Sequence, residues 1–176
     1  MSKFSIVLCV LCFFAASSTQ AEKASLAEIS RYLDQHKVLT AKFAQISYDG
    51  SRADGKIFLK RPGRLRFEYQ DPNNVVVLVA EKRITIFDYK SDSQPTSYPV
   101  SNSPLSLLLD DEIDFTKDSM VLDHSYDGSL TRVTLNNPEH QEFGQITLIF
   151  EQDPLRLSQW QVTNQVGEQI LVMLND

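Results

Sequence analysis

Leu26, Ile29 and Leu33 recur at the spacing of one helix face. They follow Ser25-Leu-Ala-Glu28, the capping-box pattern in which a serine hydroxyl and a glutamate carboxylate each satisfy a free amide at a helix start. Together these features predict one amphipathic helix over about 25–37. Beyond it the period changes. Stretches rich in Val, Ile, Phe and Tyr are punctuated by turn dipeptides at Asp49-Gly50, Asp54-Gly55, Pro62-Gly63, Asp71-Pro72, Asn137-Pro138, Asp153-Pro154 and Val166-Gly167. The pattern predicts short antiparallel strands near 42–48, 55–61, 64–70, 74–80, 83–89, 96–100, 119–125, 130–136, 144–151, 156–163 and 168–174.

Parity within the strands assigns faces. Ile57, Leu59 and Arg61 fall on one side of the second strand; Leu65, Phe67 and Tyr69 oppose Arg64, Arg66 and Glu68 in the third. Val75-Val-Val-Leu-Val-Ala80 does not alternate, which predicts a strand covered on both faces. Pro104-Leu-Ser-Leu-Leu-Leu109 reads as a short helix that is oily around most of its circumference and must be buried. The fold class expected is mainly β with an α lid: one curved antiparallel sheet forming an incomplete barrel, with two helical pieces on its concave side.

The start of the chain is of another kind. Met1-Ser-Lys3 is followed by an uncharged apolar stretch from Phe4 to Ala16, too short to span a bilayer, and then by Ser17-Ser-Thr19-Gln20-Ala21. This is the form of an export signal with cleavage after Ala21, so residues 1–21 are expected to be a signal peptide and 22–176 one domain. Both cysteines, Cys9 and Cys12, lie in that leader, and neither has the small residue before it that a lipidation signal requires. The mature chain is therefore expected to hold no thiol chemistry, disulfide or lipid anchor. The 176 residues carry 17 Lys+Arg against 23 Asp+Glu, a net charge of −6. That balance argues against nucleic acid, or an anionic membrane, held by bulk charge.

Candidate chemistry is sparse. His36, His124 and His140 stand in a helix end, a strand end and a loop, without metal-site spacing. Asp123-His124 beside serines lacks the G-x-S-x-G elbow, and neighbours in a strand face opposite ways. Asp110, Asp111, Glu112 and Asp114 lack the alternating ligands and central glycine of an EF-hand loop, and read as a solvated helix end. No catalytic residue, metal or cofactor is expected. Arg61 stands out because it shares parity with Ile57 and Leu59. Its five fixed donors would lie at the rim of an apolar face, within reach of the carbonyls of a covering helix.

Several segments, in order, resemble the periplasmic outer-membrane lipoprotein carrier family, LolA-like. They are Tyr32-Leu33 in the opening helix, Leu39-Thr-Ala-Lys-Phe43-Ala-Gln45, Gly55-Lys-Ile-Phe-Leu-Lys-Arg-Pro-Gly-Arg-Leu-Arg-Phe-Glu-Tyr69, Pro72, the 75–80 strand, Ile84-Thr-Ile-Phe-Asp-Tyr89 and Ser103-Pro-Leu-Ser-Leu-Leu-Leu109. The resemblance implies a non-enzymatic periplasmic chaperone, an incomplete barrel whose lid covers a hydrophobic cavity for lipoprotein acyl chains. It implies transport from inner to outer membrane as a monomer, with an ATP-driven inner-membrane transporter loading it and an outer-membrane acceptor lipoprotein unloading it. By the same resemblance Arg61 matches the arginine that ties the lid, and Leu65 and Phe67 match cavity positions. Parity extends that lining to Phe43, Ile57, Leu59, Tyr69, Val77 and Ile86, with Leu105 and Leu108 from the lid. Family members commonly continue past the last strand, whereas this chain reaches Met173-Leu-Asn-Asp176. Two alternatives are a periplasmic lipid-binding or lipid-sensing module of the same fold and, from another class, an exported hydrolase.

Overall fold

The structure is a computed structural model that describes residues 22–117 and 119–175. The expected signal peptide, 1–21, lies outside the described residues. Helix α1, Leu26–Gln35, begins on the capping box: Ser25 N–H donates to Glu28 Oε2 at 2.8 Å and Glu28 N–H to Ser25 Oγ at 3.3 Å. Its apolar face buries Ile29 and Leu33. Among the described residues eleven strands follow in chain order: β1 Val38–Ile46, β2 Arg52–Lys60, β3 Arg64–Tyr69, β4 Val75–Ala80, β5 Arg83–Asp88, β6 Thr96–Pro99, β7 Val121–Tyr126, β8 Leu130–Asn136, β9 Gln145–Glu151, β10 Arg156–Thr163 and β11 Gln169–Asn175.

All pair antiparallel in one sheet, ordered β6-β5-β4-β3-β2-β1-β11-β10-β9-β8-β7. First and last strands meet in the middle, where Phe43 of β1 stands opposite Leu174 of β11. The sheet does not close, because β6 and β7 remain its two edges. The chain between those edges carries a 3₁₀ helix, Pro104–Leu108, capped by Ser103, whose hydroxyl accepts from Leu105 N–H at 3.3 Å. The segment continues through the buried Ile113 and Phe115. These residues share one apolar core with α1 and with the concave face of the sheet.

Three local expectations are corrected. Asp54-Gly55 is not a turn but lies inside β2, opposite Ala44 and Phe43. Strand β1 begins at Val38, directly after the helix exit, rather than at 42. Strand β4 is not covered on both faces: Val79 is buried, but Val76 and Leu78 on the outer side are half-buried. The uninterrupted apolar stretch there reflects an outer face that is itself partly oily.

Candidate functional site

The β2–β3 hairpin carries Arg61 at its turn, and alternation along β2 directs it inward with the buried Gly55, Ile57 and Leu59. Its side chain is 1% exposed. The guanidinium donates through Nη2 to the Leu33 carbonyl near the end of α1 and through Nη1 to the Asp110 carbonyl at 3.2 Å, just past the 3₁₀ helix. Asp34 Oδ1 stands 3.6 Å from Nη1 and also accepts from the Ile113 amide at 3.2 Å. One side chain thus joins helix, hairpin and lid. Burial pushes the guanidinium pKa below its usual value, and the charge of Asp34 offsets part of that shift.

Backbone bonds reinforce the junction. Gly63 N–H donates to the Leu109 carbonyl at 2.9 Å and Arg61 N–H to the Lys37 carbonyl at 2.8 Å. Lys37 Nζ pairs with Asp111 at 2.8 Å, and Ser30 Oγ accepts from the Phe115 amide at 3.0 Å. The acidic stretch 110–114 therefore combines two roles: exposed carboxylates at Asp110, Asp111 and Glu112, and a backbone that closes the lid on α1.

The structure divides the predicted cavity residues into two groups. Phe43, Ile57, Leu59, Leu65 and Phe67 are buried in the packed interior. Phe43 meets Phe67 edge-on with centroids 5.1 Å apart, and Phe67 reaches Trp160 on β10 at 6.2 Å, so the two halves of the curved sheet touch. Tyr69, Val77 and Ile86 are half-buried and line an open groove of about 530 Å³ together with Gln45, Ala53 and Val75. The Tyr69 hydroxyl donates to Gln45 Oε1 at 2.7 Å, and burial raises its pKa to about 12.

Of the two predicted lid leucines, Leu108 is buried and Leu105 half-buried. Leu107 and Leu109 are buried as the oily stretch predicts, whereas Ile113 and Phe115, buried too, were missed. The signal was present in Ile113-Asp-Phe115, where apolar residues alternate with acids. Trp160 was missed too: it lies three residues from Leu157, and the two share the inner face only because a β-bulge between Leu157 and Gln159 shifts the register, which alternation in the sequence does not announce. His124 of the imagined hydrolytic pair has Nε2 2.9 Å from the Ala24 carbonyl, while Asp123 accepts from Ser125 at 2.9 Å. Those contacts tie the segment before α1 to β7 and form no relay from carboxylate through imidazole to hydroxyl. Among the described residues no helix is long and apolar enough to cross a membrane.

Relatives include an outer-membrane lipoprotein carrier protein of Azotobacter vinelandii, 32% identical over 93 residues that cover 50% of this chain and 45% of the relative. A carrier protein of Pseudomonas entomophila is 23% identical over 170 residues, 91% of this chain and 80% of the relative. One of Coxiella burnetii is 26% identical over 110 residues, 58% and 52%. The chain thus spans about half the length of the first of these relatives in its matched region. A crystal structure of a LolA superfamily protein from Nitrosomonas europaea superposes with a TM-score of 0.47 at 12% identity, covering 87% of this chain and 92% of that one. The profile described as "Outer membrane lipoprotein carrier protein LolA" matches residues 34–176, most of the length, and the chain belongs to that family.

Proposed function

We propose that the protein is a periplasmic carrier that shields lipoprotein acyl chains beneath its lid and moves them from the inner to the outer membrane. The observation that supports this reading most is the apolar interior of the sheet, capped by a segment that a buried arginine holds in place. The curved sheet supplies a concave wall, and the lid supplies removable filling. Phe43, Ile57, Leu59, Leu65 and Phe67 would meet cargo once Leu107, Leu108, Leu109, Ile113 and Phe115 withdraw. Tyr69, Val77 and Ile86 would meet it at the open end. Arg61 serves as the latch.

An acyl chain of about 16 carbons in water is disfavoured by roughly 12 kcal/mol, at about 0.8 kcal/mol per methylene. Burying five large lid side chains is worth about 8–15 kcal/mol at roughly 1.5–3 kcal/mol each. The two quantities are comparable, so the closed lid and one chain compete on nearly equal terms. Loading against the lid then requires a partner that expends energy, and unloading requires a better acceptor. An ATP-driven inner-membrane transporter and an outer-membrane acceptor lipoprotein fit those needs. The carrier works as a monomer and needs no catalytic group.

Diluting a triacylated lipoprotein from detergent in the presence of the purified protein tests the reading. Lipoprotein that stays in the supernatant after high-speed sedimentation, one-to-one with the protein, is the expected result. Sedimentation equal to that without the protein would reject it. Retention of free phospholipid alone would favour the lipid-sensing alternative.

A further inference from the structure

The convex face of β1–β5 carries a second pattern, separate from the concave site. Alternation sends Lys42, Lys56, Lys60, Arg64, Arg66 and Arg83 outward, and all six are exposed. The chain as a whole has 17 Lys+Arg against 23 Asp+Glu, so cations are concentrated on one face of an acidic protein. Glu68 on that face accepts from Arg66 at 2.6 Å, which offsets the charge of that one arginine, and Asp54 accepts from Arg52 at 2.7 Å, so the excess of positive charge rests on Lys42, Lys56, Lys60, Arg64 and Arg83. Between the cations lie apolar side chains. Phe58 is 38% exposed and Val38 64%, with Leu78, Val76 and Phe87 half-buried beside them.

Strand register sets the order across the face. Phe58 pairs with Arg66, which pairs with Leu78; Lys60 pairs with Arg64 one step along. A shallow depression of about 280 Å³ is lined by Val38, Phe58 and Leu78 together with Lys60, Arg64 and Arg66.

We propose that this face docks the protein on an anionic phospholipid surface. Interleaved cations and apolar groups match the layering of a bilayer interface, where long basic side chains reach headgroup phosphates and short apolar ones enter below them. The strands bearing the patch lie inside the sheet, with backbone groups paired to neighbours on both sides, so a peptide cannot dock there as an added strand. The depression is shallow and the face convex, which suits a fluid headgroup layer better than a rigid partner. The overall negative charge does not prevent docking. At physiological ionic strength charges beyond about 8 Å are screened, and the local patch governs. Lys60 and Arg64 flank the turn bearing Arg61, so docking brings the latch next to the bilayer.

Sedimentation with vesicles tests the proposal, independently of what the concave site carries. Vesicles of phosphatidylcholine alone are compared with vesicles containing 30% phosphatidylglycerol, chosen by analogy to typical polyanionic surfaces, at low and high salt. The protein is expected to bind the anionic vesicles, to release on adding salt and to ignore the neutral ones. Lys60→Gln with Arg64→Gln is expected to weaken binding about thirtyfold, at roughly 1 kcal/mol per cation. Lys23→Gln with Arg31→Gln makes the same change in net charge away from the face, Lys23 lying beside the His124 carbonyl of β7, and is expected to leave binding near the unaltered level. Retained fluorescence of the buried Trp160 shows that each variant is folded. Absence of binding, equal binding to neutral vesicles, or equal loss in both pairs of variants would overturn the proposal. So would binding to polyglutamate with none to vesicles, which would point to an acidic protein partner instead.

Discussion

A methyl group at Gly55 would run into the Glu68 carbonyl and stand 2.7 Å from the Phe43 ring. The ring of Phe43, 1% exposed, lies over Gly55 because the two residues are paired across β1 and β2. Gly55→Ala must therefore displace both the β3 backbone at Glu68 and the ring of Phe43 within its cluster with Phe67 and Tyr69. Overpacking of this kind costs about 1–3 kcal/mol. Urea unfolding should show that loss with an unchanged slope, and an unaltered midpoint would mean that the ring can move freely. The same glycine explains a misreading of the sequence. Asp-Gly between apolar stretches is a strong turn signal, yet here the glycine serves a close aromatic approach inside a strand. A local dipeptide contains no record of the ring that will lie across from it. Arg61 was readable for the opposite reason, since its parity with Ile57 and Leu59 is local.

At the scale of elements, turns carry much of the local electrostatic organisation. Asp127, at the end of β7, accepts from the amides of Leu130 at 2.8 Å and Ser129 at 2.9 Å, and it also pairs with Arg132. The Leu130 bond, followed by Arg132, holds its carboxyl down at about 2. A carboxylate depressed in the folded state stabilises above its unfolded pKa of about 3.9 and loses that contribution as pH falls through the folded value. The β7–β8 turn should therefore loosen between about pH 4 and pH 2, seen as faster amide exchange at Ser129 and Leu130. Asp127→Asn should lower protection at neutral pH and remove that acid step. A step of equal size in the variant would assign it to another carboxylate. Strand and helix positions were legible at this scale because alternation, capping and turn residues agree with one another: β8 and β10 have the bounds that the pattern predicts. The lid was legible only in its first half. Leu105 to Leu109 form an obvious oily stretch, but Ile113 and Phe115 are embedded among acids whose side chains stay in water while their backbone turns inward to Asp34 and Ser30.

For the molecule as a whole, the proposed carrier role has the lid and the cargo compete for the same concave face, and under it a small bias at the junction shifts which of them fills it. In that proposal Arg61 supplies the bias through its two bonds from a charged donor, to the Leu33 and Asp110 carbonyls, each worth about 1.5–3 kcal/mol. Arg61→Leu removes both. It also leaves the two carbonyls without their buried donor, which further disfavours the closed arrangement. Yet a leucine fits the surrounding apolar side chains, and the strand ladder on either side is untouched, so the sheet should still fold. With closure weakened, a fluorescent fatty-acyl probe should bind at least tenfold more tightly. Its transfer to acceptor vesicles should slow, because the returning lid no longer helps displace it. Arg61→Lys keeps the charge but not the fork that reaches two carbonyls at once, and should fall between the two. The measurement is the pair of binding and transfer rates on all three proteins. Unchanged affinity and unchanged transfer in Arg61→Leu would reduce the arginine to a structural bond between hairpin and helix.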